Sequence, residues 1–155
     1  MAEIIVRPIT KADYAGVRRV DILTQQQYLG AKWESLSAAE QEAHLVSRKR
    51  EFQINVDSGF SFVAAKDNQL IGFLLAYETH PFRGTIDIRH IAIAPEFQGK
   101  GIGVLLYNAL IKKARFSKMK DIRALINTDN PNSMQLHHKV GFTLIDRKEA
   151  IFKLL

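Results

Sequence analysis

The sequence predicts a single α/β domain, and three observations carry that prediction. Short runs dense in Ile, Val, Leu and Phe, each of strand length, alternate with longer segments whose apolar residues recur at helical spacing. Two of the runs, Phe60 to Ala65 and Leu70 to Glu78, lie either side of Asp67-Asn68, a turn pair suited to a hairpin. A third run, TIDIRHIAIAP from Thr85, is ended by Pro95 and leads through a glycine-rich stretch straight into a helix. With 155 residues and 46% hydrophobic content, residues 1–155 can bury one core and are read as one domain.

In chain order, Ile4 to Arg7 reads as the first strand. Thr10 then caps a helix through roughly Gln26, with Ala15, Val17, Val20 and Ile22 among its apolar positions. Gln27 to Leu36, which holds the lone tryptophan, Trp33, reads as an irregular connection. Ser37-Ala38-Ala39-Glu40 is a capping box opening a second helix, which runs to about Val56 before Asp57-Ser58-Gly59 stops it. These two helices form either a plain cover over the sheet or a lid that touches substrate. Pro81 to Gly84 leads into TIDIRHIAIAP, an Ile-rich buried strand. In the helix that follows, Ile102, Leu105, Leu106, Ala109, Leu110 and Lys113 share one spacing, and Lys112, Lys113 and Arg115 suit its negative C-terminal end. Ile122 to Ile126 is a further strand, Asn132 to Lys139 a short helix, and Phe142 to Ile145 with Ala150 to Leu154 a closing hairpin.

Gln98-Gly99-Lys100-Gly101-Ile102-Gly103 joins strand to helix with backbone that a ligand can approach without meeting a Cβ. Free N–H groups at a helix start favour an anion, and the Gln98 and Lys100 side chains offer further donors to a phosphate. The spacing excludes a dinucleotide fingerprint, because Leu106 stands where its third glycine belongs, and the chain contains no P-loop run. A turn that only connects strand to helix is the plain alternative.

At these residues the sequence resembles the GNAT family of acetyl-coenzyme A-dependent N-acetyltransferases, whose central motif is a strand, [QR]-x-x-G-x-[GA] and a helix. Asn130-Pro131-Asn132-Ser133-Met134-Gln135-Leu136-His137-His138-Lys139-Val140-Gly141-Phe142 is similar to a second family signature, N-x-x-[AS]-x-x-L-Y-x-x-x-G-F, with His137 where Tyr is usual. The resemblance covers Thr85 to Phe142. It implies a mixed, mainly antiparallel central sheet with helices on both faces, and acetyl-coenzyme A as co-substrate. Residues 98 to 103 would then take the pyrophosphate, and the backbone of Ile91, Ala92 and Ile93 would offer strand-like hydrogen bonds to the pantetheine arm. Asn130 or Asn132 would be a further partner of that arm, with Ser133 beside them, although both asparagines also suit turns and caps.

Acetyl transfer to an amine requires removal of a proton from the attacking nitrogen and stabilisation of the oxyanion. The resemblance places Asp87 where family members often carry a catalytic carboxylate, one methylene shorter than the usual Glu, so that a water would relay the proton. His90 has the better intrinsic pKa for the same task and is equally readable as a sheet histidine. By resemblance, His137 either donates to the leaving sulfur or packs beside the cofactor.

The remaining composition narrows the alternatives. A net charge of +6 suits polyanionic ligands, coenzyme A and nucleic acid among them, but no helix-turn-helix or zinc-finger spacing supports a nucleic-acid binder. The chain has no cysteine, so it carries no disulfide or thiolate chemistry and fits a reducing, cytoplasmic setting, and His137 and His138 lack a carboxylate at metal-ligand spacing. No stretch reaches the about 20 apolar residues of a membrane helix. The expected partner is an amine-bearing acceptor: a small amine, an amino acid or a peptide N-terminus. A homodimer is compatible with these features. A module that senses acyl-coenzyme A without turnover is the alternative from another class.

Overall fold

In the computed structural model, five strands form one sheet in chain order: β1 (Ile4–Pro8), β2 (Phe62–Lys66), β3 (Gln69–Glu78), β4 (Thr85–Ile93) and β5 (Asp121–Arg123). Neighbours are antiparallel except β4 and β5, which are parallel, so the sheet is the mixed, mainly antiparallel one that the resemblance implies. Residues 2–79 and 84–155 are described, and the Pro81 to Arg83 part of the expected lead-in lies outside them. The chain divides into two compact units, Met1–Leu125 and Ile126–Leu155.

The first unit holds the sheet. Asp67 and Asn68 both have positive φ, 50° and 63°, as the tight β2–β3 hairpin turn requires. Helices cover both sheet faces, and alternate residues of β3 separate them. Phe73 and Leu75 join Val17, Val20 and Phe52 in a buried cluster built with α1 (Tyr14–Leu29) and α4 (Lys49–Ser58). Gly72 lies on the other face, against Ile102 of α5 (Ile102–Phe116). Fully burying one side chain such as Phe73 contributes about 1.5–3 kcal/mol.

Local departures from expectation have identifiable causes. Thr10 starts a 3-10 turn, Lys11–Asp13, ahead of α1, and its N–H donates to Asp13 Oδ2 at 2.8 Å. The Arg7 guanidinium, bonding Asp13 at 2.7 and 2.8 Å, holds that carboxyl below its usual range. Val17 and Val20 face the core, whereas Ala15 is exposed and Ile22 half-buried. Gln27 to Leu36 is helical rather than irregular: Gln25 to Gln27 keep α1 going to Leu29, Gly30 turns at φ 56°, and α2 (Ala31–Ser35) buries Trp33.

The single helix expected from Ser37 to Val56 is two, α3 (Ala38–His44) and α4. The capping box forms as predicted. The break falls where Leu45 and Val46 turn into the core and the Ser47 N–H donates at 2.8 Å to Asp21 of α1. A tertiary bond there replaces an intrahelical one, which local periodicity cannot reveal. Gly59, at φ 76°, closes α4 as expected.

β4 is less buried than its composition suggests, with only Ile86 and Ala92 fully inside, because β5 pairs with it only across Thr85 to Asp87. For the same reason β5 is shorter than Ile122 to Ile126. On α5 the buried stripe is Ile102, Leu106, Leu110 and Ala114 with Tyr107, while Leu105 and Lys113 are exposed.

The second unit contains α6 (Pro131–Val140), capped by Asn130, whose Oδ1 accepts from the Ser133 N–H at 3.1 Å, and ended by Gly141 at φ 104°. The expected hairpin of Phe142 to Ile145 with Ala150 to Leu154 does not form. Residues 142–155 carry no strand, and a two-stranded ribbon is by itself only marginally stable.

Candidate functional site

Three features converge where β4 passes into α5. The first is open backbone. Beyond Asp87, β4 has no ladder partner on the β5 side among the described residues, so alternate N–H and C=O groups of Ile88 to Ile93, including Ile91, Ala92 and Ile93, are not used in a ladder on that side.

The second is the loop. Gly99 and Gly101 have φ of 74° and 79°, left-handed values that a side chain resists, and a Cβ on either would meet nothing within 4 Å. Gly101 is the N-cap of α5 and no side chain caps that end, so the first N–H groups of a 15-residue helix, beginning at Ile102 and Gly103, remain without side-chain acceptors. Lys100 Nζ sits 5.2 Å from the centroid of the Phe97 ring, and Lys66 Nζ is 5.9 Å from it, so two ammonium groups flank the loop. The Gln98 amide is engaged otherwise than expected: it donates to the Ile93 carbonyl at 3.0 Å and to Gln27 of α1 at 2.8 Å. Its side chain fixes the loop to the end of β4 and to α1 rather than aiming a donor at an anion. The residues present therefore fit a pyrophosphate-bearing ligand through backbone, helix end and lysine charge.

The third feature is a register shift. Tyr77 pairs with Asp87 and Leu75 with His90, which leaves Arg89 as an extra residue in β4. Tyr77 and Leu75 are two apart and share a face, so their partners do too. Asp87 and His90, three apart in sequence, thus both look toward α1 and α4. Asp87 accepts a hydrogen bond from the Thr79 hydroxyl. The His90 ring lies 6.1 Å from the Phe73 ring. Burial, opposed by the Asp21 carboxylate and aided by neighbouring Arg89, pushes the His90 pKa down, so the imidazole is neutral at neutral pH.

Asp21 was not singled out by the sequence. It is 0% exposed, on the stripe of α1 that carries Val17 and Val20 toward the sheet; Oδ2 accepts from the Ser47 N–H, and Oδ1 has no hydrogen-bond partner among the described residues. An Asp one residue after a buried Val in an amphipathic helix was the available signal.

In the second unit, His137 is 2% exposed and its Nδ1 donates to the Ser133 carbonyl one turn back at 2.7 Å. The ring meets Phe142 edge-on at 5.0 Å. That bond fixes the Nδ1–H tautomer, so the neutral ring carries no proton on Nε2, and burial lowers the pKa of the ring. Asn130 acts as a cap, Ser133 supplies its N–H and carbonyl to these bonds, and Asn132 is exposed on the first turn of α6.

The family model for acetyltransferases (GNAT) matches residues 25–142. An L-methionine sulfoximine/L-methionine sulfone acetyltransferase of Pseudomonas aeruginosa is 30% identical over 105 residues, 64% of this chain and 60% of the relative. An L-2,4-diaminobutyric acid acetyltransferase of Vibrio parahaemolyticus is 24% identical over 80 residues, 52% of this chain and 44% of the relative. The matched stretch thus spans 60% or less of these relatives' own length. Among solved structures, a PaiA N-acetyltransferase from Thermoplasma acidophilum in complex with coenzyme A superposes with a TM-score of 0.79 at 18% identity, covering 94% of this chain and 93% of that one. AAC(6')-Iy in complex with the bisubstrate analog CoA-S-monomethyl-acetylneamine gives a TM-score of 0.72 at 18% identity, covering 99% of each. At these identities the likeness shows a shared fold.

Proposed function

Because the chain belongs to the acetyltransferase (GNAT) family, we propose that it transfers an acetyl group from acetyl-coenzyme A to a primary amine within one ternary complex. The observation that carries this reading is the pair of left-handed glycines at the uncapped start of α5 beside the open edge of β4. Gly99, Lys100, Gly101, Ile102 and Gly103 would hold the pyrophosphate, and the backbone of Ile91 to Ile93 the pantetheine arm. Bound there, the co-substrate supplies an acetyl thioester. Lys66 and Lys100 add attraction for its phosphates.

The chain's own work is on the acceptor's proton. His90, neutral at neutral pH, takes the proton of the attacking amine, and Asp21 stabilises the imidazolium that results. Asp87, on the same face and held by Thr79, orients the acceptor nitrogen. The acceptor is an amino acid: relatives named for methionine sulfoximine and diaminobutyric acid support that class over a peptide N-terminus. Mixing the chain with acetyl-coenzyme A and separate panels of amino acids, simple amines and peptides should release thiol fastest with the amino acids. No release above background with any panel would sink the enzymatic reading and favour a sensor.

For His137 the bond to Ser133 supports a packing role over proton donation. His137→Phe is expected to retain kcat within about threefold, since Phe fills similar space and the neutral ring has no Nε2 proton to lose. A fall in kcat of about 10²-fold at unchanged coenzyme A affinity would return His137 to the leaving sulfur.

A further inference from the structure

Within the first unit, polar side chains from α1, α4 and β4 close a ring that includes His90. Asp21 of α1 accepts at 2.8 Å from the N–H of Ser47, in the break before α4. Arg48, next along the chain, donates to Glu51 Oε1 of α4. Glu51 Oε2 lies 3.9 Å from the Arg89 guanidinium, too far for a hydrogen bond, and Arg89 precedes His90 on β4. The His90 ring in turn feels the charges of both Arg89 and Asp21. Four polar atoms of the ring are buried with no hydrogen-bond partner among the described residues: Asp21 Oδ1, Ser47 Oγ, Arg48 Nε and Glu51 Oε2. Polar atoms withdrawn from water ordinarily have partners, so four vacancies in one circuit point to a polar ligand.

We propose that Arg48 and Arg89 clamp the α-carboxylate of the acceptor, which makes an α-amino acid, acetylated on its α-amine, the substrate. The inference rests on the acetyl-transfer reading above and names the group by which the acceptor is read. The vacant atoms are of both kinds, accepting oxygens at Asp21 and Ser47 and a donor at Arg48, and a zwitterion is their complement. Two guanidinium groups share the Glu51 carboxylate, which leaves one positive charge for an incoming carboxylate to answer in a planar, forked geometry. The bulge turns Arg89 toward Glu51 of α4, on the face that His90 also occupies, and one carbon separates amine from carboxylate in an α-amino acid. A carboxylate at Arg89 therefore leaves its amine beside His90. Simple amines lack the anion, and in a peptide the carboxylate is remote from the N-terminus. The Arg48 and Arg89 side chains are 42% and 44% exposed, so a ligand reaches them from solvent. Neither arginine touches the reacting atoms; both position the acceptor.

L-Methionine sulfone, L-leucine and L-glutamine, each paired with its carboxamide, are the probes. By calorimetry on the chain saturated with coenzyme A, at least one of the acids should bind, and its carboxamide about 10- to 100-fold more weakly. In turnover the same discrimination should fall on KM, with kcat within about threefold. Arg48→Gln and Arg89→Gln should each remove most of the preference while leaving the Kd for coenzyme A unchanged, and Arg89→Lys, which keeps the charge without the fork, should retain part of it. Failure of all three acids to bind, equal binding of an acid and its carboxamide, or a preference that survives both glutamine variants would overturn the inference. Carboxylate-dependent binding without thiol release would sustain the clamp and sink acetyl transfer, whereas thiol release as fast from the carboxamides as from the acids would do the reverse.

Discussion

Gly101→Val is expected to raise the Kd for coenzyme A by about 100-fold or more. Two effects act at one atom. The new side chain enters the space beside the first N–H groups of α5, where nothing now lies within 4 Å, and it resists a φ of 79°. Displacing the phosphate from two such donors loses charge-assisted hydrogen bonds worth about 1.5–3 kcal/mol each. Strain alone, about 1–2 kcal/mol for a side chain in the left-handed region, acts on folding instead. Gly59 separates the two. It has nearly the same backbone, φ 76° and ψ 3° against 79° and 7°, also opens onto space, and ends α4 far from the loop in sequence. Gly59→Val should lower the melting temperature like Gly101→Val while leaving the calorimetric Kd alone. Equal affinity in the two variants would move the phosphate seat off this loop.

His90→Gln should lower kcat/KM by about 10²-fold or more, with a smaller loss for Asp87→Asn. The sign of the pH dependence follows from the charges around the ring. Activity needs neutral His90, so kcat/KM should fall only as pH drops through its lowered pKa. Arg89 contributes to that lowering and Asp21 opposes it. Arg89→Gln should therefore move the acid limb to higher pH, and Asp21→Asn should move it to lower pH. Opposite displacements are hard to obtain from a general loss of structure. If Asp87→Asn abolishes the acid limb and His90→Gln leaves it in place, the carboxylate is the base.

The parts legible in sequence are those that depend on near neighbours. Asp67-Asn68, the Ser37 capping box, the 98–103 loop and the Asn130 cap each rest on residues within five positions of one another, and each stands where expected. What was hidden depends on distant partners. The break between α3 and α4 needs Asp21, which is 26 residues from Ser47. The apolar stripe of α5 was misphased because Leu105 and Tyr107 are both large and hydrophobic, and only the sheet beneath decides which is buried. Gln98 matched its motif by type, but its use depends on Gln27, 71 positions away. The Asp21 carboxylate was missed because an isolated acid on a helix is ordinarily solvated.

The extra residue in β4 makes the bulge a determinant of the proposed site. Asp87 and His90 share a face because Arg89 adds one count to a strand whose side chains otherwise alternate. A chain with residue 89 deleted would still read Ile, Asp, Ile, His, and every side chain of the proposed chemistry would survive. Asp and His would then stand two positions apart on an unbroken strand and would still share a face, opposite Tyr77 and Leu75. With residue 89 in place, straightening the strand would instead turn His90 to the opposite face, so the shared face depends on the bulge and not on the number of residues in the strand.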